Sequence, residues 1–302
     1  MRDALVFGGS GQIGQALLAR LPAREWRVHA VSRKPRALES GQPGIRWLHG
    51  ELDAPPPLPA RVDAVISCGP LDRFAHWYAT AGIEAERVVA FGSTSIDTKQ
   101  ASVDPAERDL SRRLAEAEQS VFERAGSVGA AASVLRPTLV YGVGRDASLT
   151  RIAALAGRFG RFPLPRGASG LRQPVHVEDL AAAALACLAR PATAGRIYAL
   201  PGGETLQYRE MVARVLACLQ PPAQLIELPA PLFAVALRIA QLAGRADGLG
   251  GAAVARMRED LVFDAAPAAH DLGYAPRPFR PEAGMFRWIP ARTNTRAQKG
   301  RT

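Results

Sequence analysis

Three glycines, Gly8, Gly11 and Gly14, stand three residues apart directly after a short apolar run, Ala4 to Phe7. Apolar residues at helical spacing follow at Ile13, Leu17, Leu18 and Leu21. A strand, a tight turn and a helix start in that order hold an anion. Glycine lets the backbone approach closely, and the first turn of the helix offers free N–H groups at the positive end of its dipole. The chemistry indicated is the binding of a dinucleotide pyrophosphate. An ordinary strand–turn–helix corner is the plain alternative. The second strand that follows weighs against it.

That second strand, Arg27 to Val31, ends in Ser32-Arg33-Lys34-Pro35. A carboxylate at this point accepts from the ribose 2′-hydroxyl of NAD. Here no Asp or Glu lies between Glu25 and Glu39. Arg33 and Lys34 instead stand where a 2′-phosphate would lie, with Ser32 as a further donor. The expected cofactor is NADP(H), with NAD(H) less favoured; a solvated basic loop is the competing reading of Arg33 and Lys34.

The elements that must position these groups alternate along the chain. Strands are expected at Ala4–Phe7, Arg27–Val31, Ile45–His49, Ala64–Ser67, Arg87–Phe91, Ala132–Arg136 and Arg196–Leu200. Helices are expected near Pro105–Arg124, Val177–Arg190, Tyr208–Leu219 and Leu232–Ala243. Such alternation predicts an α/β fold with a doubly wound parallel sheet, Rossmann-type, and ligand over the carboxyl ends of its strands. Residues 1–140 would form the NADP-binding core, with strand 196–200 returning to its sheet. Residues 141–290 would supply a small C-terminal substrate lobe, and residues 291–302 a disordered basic tail.

Composition agrees. A chain of 302 residues with 48% hydrophobic content buries a sizeable core. The net charge of +10 comes from scattered Arg, with Lys only at 34, 99 and 299, and no basic stripe is interleaved with aromatics. Nucleic acid is therefore not an expected partner. Cys68, Cys187 and Cys218 form no CxxC pair, which fits a reducing cytoplasm and predicts neither a disulfide frame nor a metal site. No apolar run reaches about 18 residues free of charge or Pro, so no membrane span is expected. The expected partner is a small-molecule substrate; the oligomeric state stays open.

Four motifs carry a family resemblance. They are Val6-Phe-Gly-Gly-Ser-Gly-Gln-Ile-Gly14, Val88-Val-Ala-Phe-Gly-Ser-Thr-Ser95, Leu135-Arg-Pro-Thr-Leu-Val-Tyr-Gly-Val-Gly-Arg145 and Val175-His-Val-Glu-Asp-Leu-Ala181. In this order they resemble the extended or atypical short-chain dehydrogenase/reductases of the NAD-dependent epimerase/dehydratase type. The closing segment Leu272-Gly-Tyr-Ala-Pro-Arg-Pro-Phe279 resembles that family too. The resemblance implies that Gly8, Ser10, Gly11, Gln12 and Ile13 hold the pyrophosphate. Glu51 and Leu52 would border the adenine, and Cys68, Gly69 and Pro70 its ribose. Pro137, Thr138 and Val140 would line the nicotinamide. Ser93 would be the active-site hydroxyl, with Thr94 as its close substitute.

One departure is plain. The family's Tyr-x-x-x-Lys pair needs two residues one helical turn apart on one face. The helix after strand five, Glu107-Arg-Asp-Leu-Ser-Arg-Arg-Leu-Ala-Glu-Ala-Glu118, contains no Tyr. Alignment on its Glu-rich end puts Arg112 in the Lys position, with Arg113 as the neighbouring alternative and Arg108 or Asp109 in the Tyr position. Arg112 would bind the nicotinamide ribose, but a group that is always protonated is a poor general acid. Tyr141, Tyr78, His76 and His176 are the candidate proton donors. Arg145, Arg161, Arg166 and Arg172 would line the substrate lobe and suit a phosphate or carboxylate. Two function classes result. One is an oxidoreductase acting on a small carbonyl, hydroxyl or sugar-nucleotide substrate; the other is a non-catalytic NADP(H)-binding redox sensor or assembly factor.

Overall fold

The computed structural model describes residues 1–33, 43–146, 148–242 and 251–286. Lys34 and the tail 291–302 lie outside the described residues. Seven strands form one parallel sheet: β1 (Arg2–Phe7), β2 (Trp26–Ser32), β3 (Ile45–His49), β4 (Arg61–Ser67), β5 (Glu84–Phe91), β6 (Ala131–Pro137) and β7 (Arg196–Leu200). Their order is β7-β6-β5-β4-β1-β2-β3, with every neighbouring pair parallel. Strand order reverses at β1, so the crevice between the ends of β1 and β4 is the switch point of a doubly wound sheet. The returning strand Arg196–Leu200 completes the sheet beside β6.

Both faces of the sheet are covered, which is why its strands read as continuous apolar runs. In β1, Ala4 and Val6 point to one side, with Leu17, Leu18, Leu180 and Ala184. Leu5 and Phe7 point to the other, with Phe74, Trp77, Leu114 and Val121. Helices Gln12–Arg20 and Val177–Ala189 thus cover the first face, and Leu71–Thr80 and Pro105–Ser127 the second. The Phe7 ring sits 4.5 Å from Trp77 in an edge-on arrangement, and Phe74 stacks on Tyr78 at 5.6 Å.

Register aligns the strand ends. Phe7 lies level with Val31 on one side and with Ser67 on the other. The turns that follow all open on the same edge of the sheet.

A third cluster forms the core of the C-terminal lobe around Tyr141, Leu149, Leu164, Met211, Val215 and Phe279. It includes a parallel pair of strands, Arg161–Pro165 with Gln224–Leu228, and helices Leu149–Phe159 and Tyr208–Ala217. Helix Leu149–Phe159 is one that the sequence pattern did not predict. Its Ala- and Gly-rich stretch stops at Gly160, whose φ of 66° caps it in the left-handed region. Arg172, 6% exposed, donates to the carbonyls of Leu171, Glu259 and Arg256, tying the lobe internally.

Candidate functional site

The glycine turn at the switch point is shaped by contact. Gly8 has φ +71°, and a Cβ there would lie 2.9 Å from the Cys68 carbonyl carbon and 3.0 Å from the Gly69 nitrogen. Only glycine lets the turns after β1 and β4 meet at this distance. Gly11 donates its N–H to the Gly8 carbonyl at 2.8 Å and caps helix Gln12–Arg20. A Cβ at Gly11 would meet only the Gly8 oxygen, at 3.0 Å. A Cβ at Gly14 would collide with that oxygen and with Gly9, so Gly14 serves close packing of helix on strand.

Beside the turn, the Ser32 hydroxyl donates to the Ser10 hydroxyl at 2.8 Å, tying the end of β2 to the glycine turn. Ser32 is buried and Arg33 exposed. Leu52 is buried, and its side chain lies 3.4 Å from where a Cβ of Gly69 would stand, so the expected adenine and ribose borders meet in space. Glu51 is half-buried beside Leu52, and exposed Pro70 caps helix Leu71–Thr80. The Cys68 thiol is pushed up to about 12 by burial and is inert.

These residues fit a dinucleotide. The cradle formed by Gly8 and Gly11 would be filled by side-chain atoms at either position. The Gln12 Oε1 is buried with no hydrogen-bond partner, and Ile13 is buried under the helix start.

Farther along the edge, Ser93 is half-buried after β5, and its Oγ accepts from the Ser95 N–H at 3.1 Å. Thr94 is buried, and its hydroxyl donates to the Pro137 carbonyl at 3.1 Å. Ser93 is therefore the hydroxyl at the crevice, while Thr94 clamps the end of β5 to that of β6. Val140 is half-buried beyond Pro137, and Thr138 donates its hydroxyl to the Gln173 carbonyl.

Two sequence expectations for the chemistry are corrected. Arg112 lies on the outer face of helix Pro105–Ser127. Its side chain is 60% exposed and paired with Asp109 at 2.6 Å and Glu116 at 2.8 Å. The inward face carries Ser111, Leu114, Glu118 and Val121, and a helix turns 100° per residue. Arg112 therefore points away from the sheet and is not placed to hold a ribose. Tyr141 is 1% exposed, with its ring edge-on to His176 at 5.1 Å and to Phe279 at 4.9 Å. Burial pushes its hydroxyl up to about 12, against a backbone hydrogen bond from Arg280. Tyr141 is a packing residue of the lobe.

The remaining proton-donor candidates are also accounted for. His76 is exposed on the outer side of helix Leu71–Thr80, and Tyr78 is buried in the core. The His176 Nδ1 accepts from the Glu178 N–H at 3.3 Å as a helix cap. The four arginines expected around one pocket are dispersed. Arg172 is internal, Arg161 is exposed, and the Arg166 carbonyl accepts from Arg258. Arg145 reaches the glycine turn, where it donates to the Ser10 carbonyl.

A charged cluster that sequence reasoning did not single out lies beyond Ser93. Glu107, with its side chain 13% exposed, accepts from the Ser102 hydroxyl at 2.7 Å, lies 3.6 Å from the Lys99 ammonium and pairs with Arg256. Burial opposes its ionisation, but Ser102, Arg256 and Lys99 outweigh that and hold the carboxyl below its usual range. The pair with Arg256 joins the long core helix to helix Gly251–Arg256. The signal in the sequence was slight: Lys99 is one of only three lysines.

Among the described residues no three His, Cys, Asp or Glu side chains come together to hold a metal. None of the described helices is long and apolar enough to cross a membrane.

Comparison with known proteins finds similarity to one family of nicotinamide-dependent enzymes. The model of the NAD dependent epimerase/dehydratase family matches residues 4–87, from β1 to the first half of β5. A UDP-glucose 4-epimerase of Vibrio cholerae is 26% identical over 172 residues, 56% of this chain and 49% of that protein. The chain thus matches about half the length of that relative. Among solved structures, the UDP-glucuronic acid 4-epimerase of Bacillus cereus in complex with NAD has a TM-score of 0.67 at 11% identity, covering 95% of this chain and 98% of that one. The terminal R domain of a myxalamid PKS-NRPS pathway has a TM-score of 0.70 at 18% identity, covering 94% and 88%. The resemblance to the NAD-dependent epimerase/dehydratase family is thereby borne out, and the fold is that of these enzymes.

Proposed function

We propose that this chain, built on the fold of the NAD-dependent epimerases, is a dinucleotide-binding oxidoreductase that works without a helix Tyr. Its substrate would be a small carbonyl, hydroxyl or sugar-nucleotide compound, and NADP(H) is its preferred cofactor. The observation that carries this reading is the glycine turn at the switch point, closed against Cys68 and Gly69 and tied through Ser10 to Ser32. Residues 1–140 with Arg196–Leu200 form the cofactor core, and residues 141–286 the substrate lobe.

Gly8, Gly11, Gln12 and Ile13 would hold the pyrophosphate, and Leu52, Cys68 and Gly69 the adenosine. Ser32 and Arg33 would hold the 2′-phosphate. Bound nicotinamide supplies hydride chemistry. The Ser93 hydroxyl orients the substrate oxygen, and Pro137 and Val140 border the ring. The proton, where one is needed, comes from water, because Tyr141, Tyr78 and His176 are held in packing roles.

The test is a calorimetric titration of NADPH and NADH against wild type and Arg33→Ala. A charge-assisted contact contributes about 1.5–3 kcal/mol. The wild type should therefore prefer NADPH by about tenfold or more, and the variant should lose that preference. Equal affinities in the wild type overturn it.

A second reading rests on the long helix. Counting back one and two turns from inward-facing Glu118 gives Leu114 and Leu110, where proton chemistry would need polar groups. This favours a non-catalytic NADP(H)-binding sensor or assembly factor. Tight NADPH binding with no turnover across a panel of carbonyls and UDP-sugars would decide for it.

A further inference from the structure

We propose that the outer stripe of helix Ala230–Leu242 seats this protein on a membrane surface that carries anionic headgroups, lying in the interface rather than crossing it. The helix follows strand Gln224–Leu228, and Pro231 stands in its first turn, where a missing N–H costs nothing. It packs on strand Arg161–Pro165. Phe233 is buried and Leu237 half-buried. Leu232, Val235, Ile239 and Leu242 recur at intervals of three and four, so they form one stripe along the helix. That stripe does not face the core. Leu232, Val235 and Ile239 are 57–63% exposed and Leu242 is 91% exposed. A surface helix ordinarily turns charged and polar side chains outward. Here Arg238 is the only charged residue between Leu228 and Leu242.

Area and charge select the occupant. The four side chains expose on the order of 500 Å² of apolar surface, at the upper end of the largest patch found on a free monomer. A stable pair of protein chains buries about 800 Å² on each side, and the stripe falls short of that. A second copy seated on it would also bring one acid-free, Arg-bearing helix against another. The surroundings favour an anionic partner. Residues 148–177, which run through helix Leu149–Phe159 and strand Arg161–Pro165, contain five Arg and no Asp or Glu. Arg158, Arg161 and Arg166 of this stretch are exposed, as is Arg238. Among the described residues none of these four pairs with a carboxylate. Glu227, the acid of the strand beside Arg161–Pro165, is held by Arg209 at 3.0 Å. An apolar stripe beside unneutralised arginines suits a helix that sinks its apolar side to the headgroup level while its cations reach the lipid phosphates. The net charge of +10 adds long-range attraction to such a surface.

The test is co-sedimentation of the full chain with vesicles of phosphatidylcholine alone and of phosphatidylcholine mixed with phosphatidylserine. Wild type, Val235→Gln/Ile239→Gln and Arg161→Gln/Arg238→Gln are compared, with thermal melts as the check on folding. Wild type should partition onto the mixed vesicles about tenfold better than onto the neutral ones, and added salt should weaken that binding. Val235→Gln/Ile239→Gln should lose about tenfold or more on the mixed vesicles. Arg161→Gln/Arg238→Gln should lose about fivefold per charge there and nothing on the neutral ones. Ile239→Trp keeps the stripe apolar and serves where the paired substitution does not fold. Its fluorescence should shift to the blue on the mixed vesicles. A wild type that stays in the supernatant with both vesicle types, or partitions equally onto both, overturns the proposal. So does unchanged mixed-vesicle binding in a folded Val235→Gln/Ile239→Gln protein, or an Ile239→Trp emission that does not move. Sedimentation velocity covers the competing occupant. A wild-type dimer that Val235→Gln/Ile239→Gln makes monomeric, with no vesicle binding, gives the stripe to a second copy and overturns the proposal.

Discussion

Glu118 grips the guanidinium of Arg136 from the inner face of the long helix, and the pair presses against Gly92, the residue before Ser93. The Arg136 Nε donates to the Glu118 Oε1 at 2.7 Å, and a Cβ on Gly92 would lie 3.2 Å from that same oxygen. The Glu118 side chain is 5% exposed and that of Arg136 18%. Glu118 holds the guanidinium above its usual range, more than burial lowers it. The pair locks helix, β6 and the end of β5 in one register behind the crevice.

Glu118→Gln removes the charge that neutralises Arg136 and leaves it only exposed Asp97, at 3.2 Å. Breaking a buried pair from one side costs about 3 kcal/mol. Urea denaturation should show a loss near that value. A loss under about 0.5 kcal/mol would mean that the pair behaves as a surface ion pair.

The glycines of the turn should separate binding from folding. A Cβ at Gly14 collides with the Gly8 carbonyl and Gly9 backbone, so Gly14→Ala should destabilise the fold by about 1–3 kcal/mol. A Cβ at Gly11 meets only the Gly8 oxygen. Gly11→Val should leave a folded protein whose added branches fill the phosphate space. Circular dichroism and NADPH titration on the same samples check both. Retained NADPH affinity in Gly11→Val would place the phosphate elsewhere.

The sheet was legible because each strand is a run of small and branched apolar residues bounded by glycine, proline or charge. Ile45–His49 and Arg196–Leu200 match their expected bounds. The glycine turn was legible because close backbone approach admits only one residue type. The inward face of the long helix was harder to read. Leu114, Ala117, Val121 and Ala125 form its buried stripe, but two of the four are Ala in a sequence dense in Arg, Glu and Ala. That stripe, with Ser111 bonded to the Ile96 carbonyl and Glu118 to Arg136, turns Arg112 outward. Tyr141 misled for a related reason. Its motif position indicates the lobe, but whether a tyrosine hydroxyl faces a ligand or a packed core depends on Phe279, 138 residues downstream. Arg145 was expected near the substrate, and nothing local in sequence shows that its side chain reaches Ser10.

His176 gives the fold a dependence on pH. Its Nδ1 must be unprotonated to accept from the Glu178 N–H. Burial, with Arg277 adding to it, lowers its pKa from the usual 6.5; Glu178 and Asp179 act the other way, and Arg20 adds a small push down. The folded chain thus binds fewer protons here than the unfolded one. The stability this contributes is complete above about pH 6.5 and is lost as pH falls toward the folded value. Thermal melts of wild type and His176→Asn at about pH 7.5 and about pH 5.5 test it. Asn keeps an acceptor without a titrating ring, so the variant should lose less stability on acidification. An equal loss in both proteins would remove His176 from the account.

Ser93 and Arg112 should now part company. Ser93 stands at the crevice with its hydroxyl hydrogen free to turn toward a substrate oxygen, since its Oγ acts as acceptor to the Ser95 N–H. Arg112 stands in an exposed ion-pair ladder with Asp109 and Glu116 on the outer face of the helix. Ser93→Ala should lower turnover by about 10²-fold, the scale of losing one oriented donor to the reacting oxygen, with NADPH affinity intact. Arg112→Ala should change neither affinity nor turnover beyond about twofold, because exposed pairs contribute little. Steady-state kinetics on any carbonyl or UDP-sugar that is turned over, with NADPH titrations alongside, decide both. Full activity in Ser93→Ala removes the oxygen-orienting role. Weakened NADPH binding in Arg112→Ala would mean that the helix turns its outer face inward when the dinucleotide binds.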